Sequence, residues 1–164
     1  MNSNWHIFLD IDGVLATTMQ YYSNPKKWNP LYNRYRFDEK CVKVFNQIIE
    51  KTNPVVILSS DWGRDYTLEK LNLIFEINGV NCTITDVTPN FWDVKYFDIK
   101  TQLAVCRADE IKSYTIDHNI TKFLAIDDVD LSPWLPDNFV RTRVANEGIK
   151  QSGVKDKILK MLLS

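Results

Sequence analysis

Short apolar runs that break off into polar residues, with helical periodicity between them, constrain this chain more than any other feature. His6-Ile7-Phe8-Leu9 runs into Asp10-Ile11-Asp12-Gly13, Val55-Val56-Ile57-Leu58 into Ser59-Ser60, and Lys122-Phe123-Leu124-Ala125-Ile126 into Asp127-Asp128. Each run reads as a strand buried on both faces, because a half-solvated strand would alternate apolar with polar residues. Val42, Phe45, Ile48 and Ile49 share one helical face, with Asp38 as N-cap and Asn53-Pro54 as stop, which predicts a helix over 38–51. A second helix is predicted over 65–78, closed by Asn78-Gly79, and residues 81–85 read as a further strand. Leu103, Val105, Cys106, Ile111 and Tyr114 fit one long helix or two short ones between about 99 and 118. Residues 139–142 read as an edge strand, and Val154, Ile158, Met161 and Leu162 as a last helix. Such alternation implies right-handed β-α-β units. The expected fold is α/β in three layers, Rossmann-like, with a mostly parallel central sheet and helices on both faces.

The 164 residues suit a single domain spanning 1–164. The alternation fails over residues 16–37, rich in Tyr, Trp, Asn, Pro, Lys and Arg. That stretch exceeds the roughly 2–6 residues of an ordinary strand-to-helix loop, so it reads as an insertion, or flap, over one end of the sheet. Lys and Arg number 20 against 21 Asp and Glu, a net charge of −1, which excludes a general polyanion binder but not a local basic patch. Two histidines are too few for a histidine-rich metal cluster, and Cys41, Cys82 and Cys106 form no Cys-x-x-Cys pair. A disulfide framework is therefore not expected, and a reducing compartment is. No apolar run approaches the roughly 20 residues that cross a bilayer. With no secretory signal visible at residue 1 onward, the expected location is cytoplasmic.

In an open α/β sheet the ligand lies beyond the carboxyl ends of the strands. Asp10, Asp12, Asp127 and Asp128 would meet there and repel one another unless a cation neutralised them. All are hard oxygen ligands, which points to Mg²⁺ rather than zinc. Asp-x-Asp-Gly also closes ordinary turns, and Asp127-Asp128-Val129-Asp130 also suits a solvated loop before Pro133. The weight lies in their joint occurrence, each at the end of an apolar strand.

The motifs Phe8-Leu9-Asp10-Ile11-Asp12-Gly13-Val14-Leu15, Val56-Ile57-Leu58-Ser59-Ser60 and Leu124-Ala125-Ile126-Asp127-Asp128 together resemble the haloacid dehalogenase (HAD) superfamily of phosphohydrolases. The resemblance spans residues 8 to 128. It implies Asp10 as the nucleophile that forms an aspartyl-phosphate and Asp12 as the general acid and then base. It implies Ser59 and the Ser60 backbone N–H as phosphate ligands. Mg²⁺ would be held by Asp10, the Asp12 carbonyl, Asp128 and Asp127. The family's basic third motif is matched loosely: Arg107 is the choice, 21 positions before Asp128, with Lys95 and Lys100 as rivals and a surface salt bridge as the plain reading of each. Val14 stands where many members have Thr.

Only residues 16–37 and 86–98 are available to cover the site, so the enzyme is expected to be nearly capless and open to large substrates. Tyr21, Tyr22, Lys26, Lys27, Trp28, Tyr32, Arg34, Tyr35 and Arg36 interleave aromatics with bases. They would either stack on nucleobases and meet phosphates or fold the loop back onto the sheet. Arg64, in Ser59-Ser60-Asp61-Trp62-Gly63-Arg64, would either grip phosphate as a fork or cap the following helix. The Arg-x-x-Glu-Ile helix from Arg107 to Ile111 is similar to that of HAD domains associated with RNA repair, and the chain is also similar to the phosphatase half of polynucleotide kinase-phosphatase. The expected activity is a Mg²⁺-dependent phosphatase acting on a phosphorylated substrate, among them nucleotides and nucleic-acid ends. The alternatives are a catalytically silent, Mg²⁺-binding regulatory or interaction module and phosphoryl transfer to an acceptor other than water. No protein partner is inferable.

Overall fold

The computed structural model describes residues 5–17, 28–32, 34–91, 99–143 and 146–164, with backbone alone at 28, 35 and 99–101. In chain order the elements are β1 (His6–Leu9), the two-residue strands β2 (Trp28–Asn29) and β3 (Arg34–Tyr35), α1 (Glu39–Thr52) and β4 (Val55–Leu58). There follow α2 (Trp62–Asp65), α3 (Leu68–Ile77), β5 (Ile84–Val87), α4 (Ile99–Asp117), β6 (Phe123–Asp127), β7 (Phe139–Arg141), a 3-10 turn (Gly148–Lys150) and α5 (Val154–Leu162).

The central sheet runs β5-β4-β1-β6-β7, and every neighbouring pair is parallel. The chain steps from β1 outward to β4 and β5, then returns to β6 on the other flank of β1. A crevice at that reversal of strand order is where such sheets place a ligand. Register sets the crevice's composition. Leu9 pairs with both Leu58 and Ile126, so the next residue of each strand, Asp10, Ser59 and Asp127, lies at one height.

Both faces are dry, as the unbroken apolar runs require. Ile7, Leu9, Val56, Leu58, Leu124 and Ile126 pack with Phe45 and Ile48 of α1, Leu71 and Phe75 of α3 and Ile158 of α5. Phe8, Ile57 and Ala125 face the other way, onto Ala104, Ile111 and Tyr114 of α4 and onto Leu131 and Leu135. This is the expected three-layer architecture. α1 starts where expected, the Asp38 carboxylate accepting from the Lys40 and Cys41 N–H groups, and it stops at Asn53 in the left-handed region.

Two boundaries differ from expectation. The helix expected over 65–78 is two: α2 ends at Asp65, Tyr66 is extended, and Thr67 caps α3 by accepting from the Lys70 N–H. The strand expected over 81–85 begins three residues later, because the Asn72 amide clasps both backbone groups of Ile84, at 2.7 and 3.0 Å. Between 99 and 118 the chain makes one helix, α4. Residues 18–27 of the insertion, and 92–98, lie outside the described residues. No helix among the described residues is long and apolar enough to cross a membrane.

Candidate active site

The loop after β1 is wound tightly: the Ile11 carbonyl accepts from the N–H groups of Val14, Leu15 and Ala16, and Gly13 N–H donates to Ala16 O at 2.8 Å. Gly13 has φ +75, a conformation that costs any side-chain-bearing residue free energy. A Cβ there would also lie 2.5 Å from the Asp128 carboxyl carbon. Glycine at this position therefore lets the loops after β1 and β6 touch. Thr142, just past β7, braces the same loop by donating to Gly13 O at 2.8 Å while its own N–H bonds Asp127 O.

Asp10, Asp127 and Asp128 bring one oxygen each within 4.8 Å of one another. Asp10 and Asp127 are almost fully buried. Burial, followed by the charges of Asp12 and Asp128, pushes the Asp10 carboxyl up to about 6 against the opposing pull of Arg107 and the Ser60 hydroxyl. Asp127 is held well above the usual carboxylate range by burial and by Asp10, and Asp128 is raised chiefly by burial. Three carboxyls so placed share protons or take up a cation.

Arg107, on α4, reaches into this cluster. Its guanidinium is buried, 3.3 Å from Asp10 Oδ1 and 3.3 Å from Asp127 Oδ2, and it also donates to Ser59 O. Its second terminal nitrogen meets Asp61 Oδ1 at 3.1 Å, and its Nε lies 3.9 Å from Glu110. Burial alone would lower its pKa, but the surrounding acids together raise it, so its charge is fixed. Of the three candidates for the basic position, Arg107 stands beside Asp10; Lys95 and the Lys100 side chain lie outside the described residues.

The Ser59 and Ser60 hydroxyls are buried without a hydrogen-bond partner of good geometry among the described residues. An orphaned buried hydroxyl costs about 1–3 kcal/mol, so that of Ser59, at the strand edge it shares with Asp10, marks where a ligand oxygen belongs, while the Ser60 hydroxyl is close enough to Asp10 to favour its charged form. The donor set, hard carboxylates with raised affinity for positive charge, fits Mg²⁺. Asp12 diverges from its neighbours: its Oδ2 accepts from the Trp62 indole at 2.9 Å, and its carboxylate is outside the three-carboxylate cluster. Arg64 is exposed and pairs with Asp61 at 2.9 Å, on the oxygen that also receives Arg107.

Sequence reasoning missed Asp61, Trp62 and Thr142 as parts of this site. Asp61 and Trp62 directly follow Ser59-Ser60, and that adjacency was the available signal. Thr142 had none, since only the sheet brings it to Gly13. The described part of the insertion folds back: Tyr32 is buried and its hydroxyl bonds Asn78, and Phe37 is buried against Trp62. Tyr21, Tyr22, Lys26 and Lys27 lie outside the described residues, as do the Trp28 and Tyr35 side chains, while Arg36 is exposed.

The parallel sheet with acids at the ends of β1 and β6 is consistent with the HAD fold. The family model for the HAD domain in Swiss Army Knife RNA repair proteins matches residues 6–154, and the chain belongs to that family. No curated protein and no solved structure matches the chain at a significant level.

Proposed function

We propose that this chain is a Mg²⁺-dependent phosphomonoesterase that works through phospho-Asp10, on nucleotides or on the phosphorylated ends of RNA. The observation that carries the reading is the buried Arg107 guanidinium beside Asp10, with the buried Ser59 hydroxyl, unpartnered among the described residues, at the same strand edge. In this reading Asp10 attacks phosphorus, and Arg107 and the Ser59 and Ser60 groups bind the transferring oxygens. Asp12 gives its proton to the leaving oxygen and then takes one from the attacking water. Mg²⁺, held by Asp10, Asp127 and Asp128 with the Asp12 carbonyl, would supply positive charge that lets an anionic nucleophile approach a phosphate. The RNA-repair family favours a nucleic-acid substrate. Arg107 beside Asp10 supports catalysis over a silent Mg²⁺-binding module.

The test is a Mg²⁺-supplemented panel of 3′- and 5′-phosphorylated oligonucleotides, nucleotides, sugar phosphates and phosphopeptides. Release of phosphate from oligonucleotide ends, abolished by chelator and by Asp10→Asn, is the expected result. Undiminished hydrolysis by Asp10→Asn protein would remove the aspartyl-phosphate mechanism, and a protein inert on the whole panel would leave the silent module.

A further inference from the structure

Trp62 is the first residue of α2, and no part of it is exposed. Its indole Nε1–H donates to Asp12 Oδ2 at 2.9 Å. The ring is fixed from several sides, with centroids 5.7 Å from Phe37, 5.8 Å from Tyr66 and 6.2 Å from Tyr32. The Arg34 guanidinium, from the insertion, lies 4.7 Å from the ring centroid. Arg34 is itself held by the Tyr66 hydroxyl, which accepts from its Nε at 3.2 Å, and by Asp65. A cation on an indole face is attracted by the ring's electrons, and drawing density from the ring makes its N–H a stronger donor.

An indole N–H donates and cannot accept. The protonated Asp12 carboxyl has one carbonyl-type oxygen, the better acceptor, and one hydroxyl. With Oδ2 engaged by the indole, the favoured form carries its proton on Oδ1. We infer that Trp62 is a positioning residue that selects the oxygen of Asp12 from which the proton is delivered, and that Arg34 ties the insertion to this function. The inference rests on the reading of Asp12 as acid and base. In the first half-reaction the Asp12 Oδ1–H bond breaks as the leaving oxygen takes the proton, its bond to phosphorus breaks, and phosphorus bonds to an Asp10 oxygen. In the second, a water oxygen bonds to phosphorus, its proton passes to Asp12 Oδ1, and the bond from phosphorus to Asp10 breaks to release phosphate.

Trp62→Phe keeps an aromatic ring for Phe37 and Arg34 and removes the donor together with the smaller ring of the indole, a loss of packing that acts on both esters alike. The discriminating readout is leaving-group dependence with the full chain and Mg²⁺. Phenyl phosphate has a poor leaving group that needs the acid, whereas 2,4-dinitrophenyl phosphate departs without it. General acid catalysis contributes roughly 10²–10⁴-fold, so losing its orientation is expected to lower kcat/KM, which reports the first half-reaction alone, about tenfold or more on phenyl phosphate. On the dinitrophenyl ester the expected change is under about twofold. An equal loss on both esters, as a merely structural role would give, overturns the positioning role alone. So does no loss on either. A wild-type protein inert on both esters and on the nucleotide and oligonucleotide panel overturns the phosphatase reading, and this inference falls with it. If Trp62→Phe does not fold, nitrogen-labelled protein supplies the second measurement. The Trp62 indole N–H resonance should move on Asp12→Ala, and an unmoved resonance overturns the contact.

Discussion

Asp10 and Asp38 are both nearly fully buried, at 5% and 6% exposure, yet their surroundings push them in opposite directions. Asp38 is satisfied on both oxygens. Oδ1 accepts from the Lys40 and Cys41 N–H groups at 2.9 and 3.3 Å, and Oδ2 accepts from the Thr17 hydroxyl at 3.3 Å and from Lys150. Burial alone would raise its pKa, but the Lys150 hydrogen bond and charge and the two backbone donors together lower it. Asp10 has Arg107 at 3.3 Å and three other carboxyls, Asp12, Asp127 and Asp128, for neighbours, and its pKa rises to about 6. Asp38 holds α1 to the loop after β1. Asp10 is kept in an environment that its own fold leaves short of positive charge, the condition of a group whose partner is a ligand.

Four experiments would break or sharpen this contrast. The largest effect is expected from Asp10→Asn, which should cut phosphate release by roughly 10³-fold or more, the scale of removing a reacting group; steady-state kinetics on the best panel substrate check it. Arg107→Met should come next, destabilising the metal-free protein by about 3 kcal/mol because it strands buried acids. Urea unfolding in chelator measures it, and a loss that Mg²⁺ partly restores would match the carboxylate cluster. Asp38→Ala should cost about 2 kcal/mol, combining a lost N-cap with a stranded Lys150. A loss below about 0.5 kcal/mol would show that the helix start does not depend on it.

The smallest effect is a pH dependence of opposite sign at the two sites. Asp10 has a folded pKa near 6 against an ordinary value of 3.8, so its carboxylate form destabilises the metal-free fold above pH 6. That penalty vanishes as pH falls toward 3.8. Asp10→Asn should thus be more stable than wild type at pH 7, with the gap closing toward pH 4. For Asp38, lowered below 3.8, the stabilisation is complete above the ordinary value and disappears only as pH falls through the folded one. Asp38→Asn should therefore show a constant deficit from pH 7 to pH 5. Parallel profiles for the two variants would refute the contrast.

Much of this site is legible in the residues themselves. A four-residue apolar run can be buried on both faces only in the middle of a sheet, and parallel register then puts Asp10, Ser59 and Asp127 at one edge. Asp38 is equally readable, because an N-cap is a local matter. Side chains acting across the fold escape such reading. Thr67 starts a new helix because Tyr66 before it is extended and its own hydroxyl caps the Lys70 N–H. β5 starts at Ile84 only because Asn72 clasps it. Trp62 could as well have been ordinary core, and its donor has meaning only once Asp12 lies 2.9 Å away. The insertion's aromatic and basic composition left a nucleobase-stacking surface and a loop folded back onto the sheet both open, and only the fold shows Tyr32 and Phe37 inside.

The brace from Thr142 to the loop after β1 spans 129 positions of chain, and this has a bearing on how the molecule comes into being. A nascent chain exposes Asp10, Asp12 and Ser59 early, but β6, the second flank of β1, emerges only with Phe123. Contacts of such sequence separation are slow to form, because loop-closure entropy must be overcome first. Arg107 is made shortly before Asp127, so the cation and the acid it offsets become available almost together. The carboxyl-rich end of the sheet thus cannot close until β6 and Thr142 have emerged, and ribosome-bound chains ending before β6 are expected to remain protease-sensitive at the loop after β1.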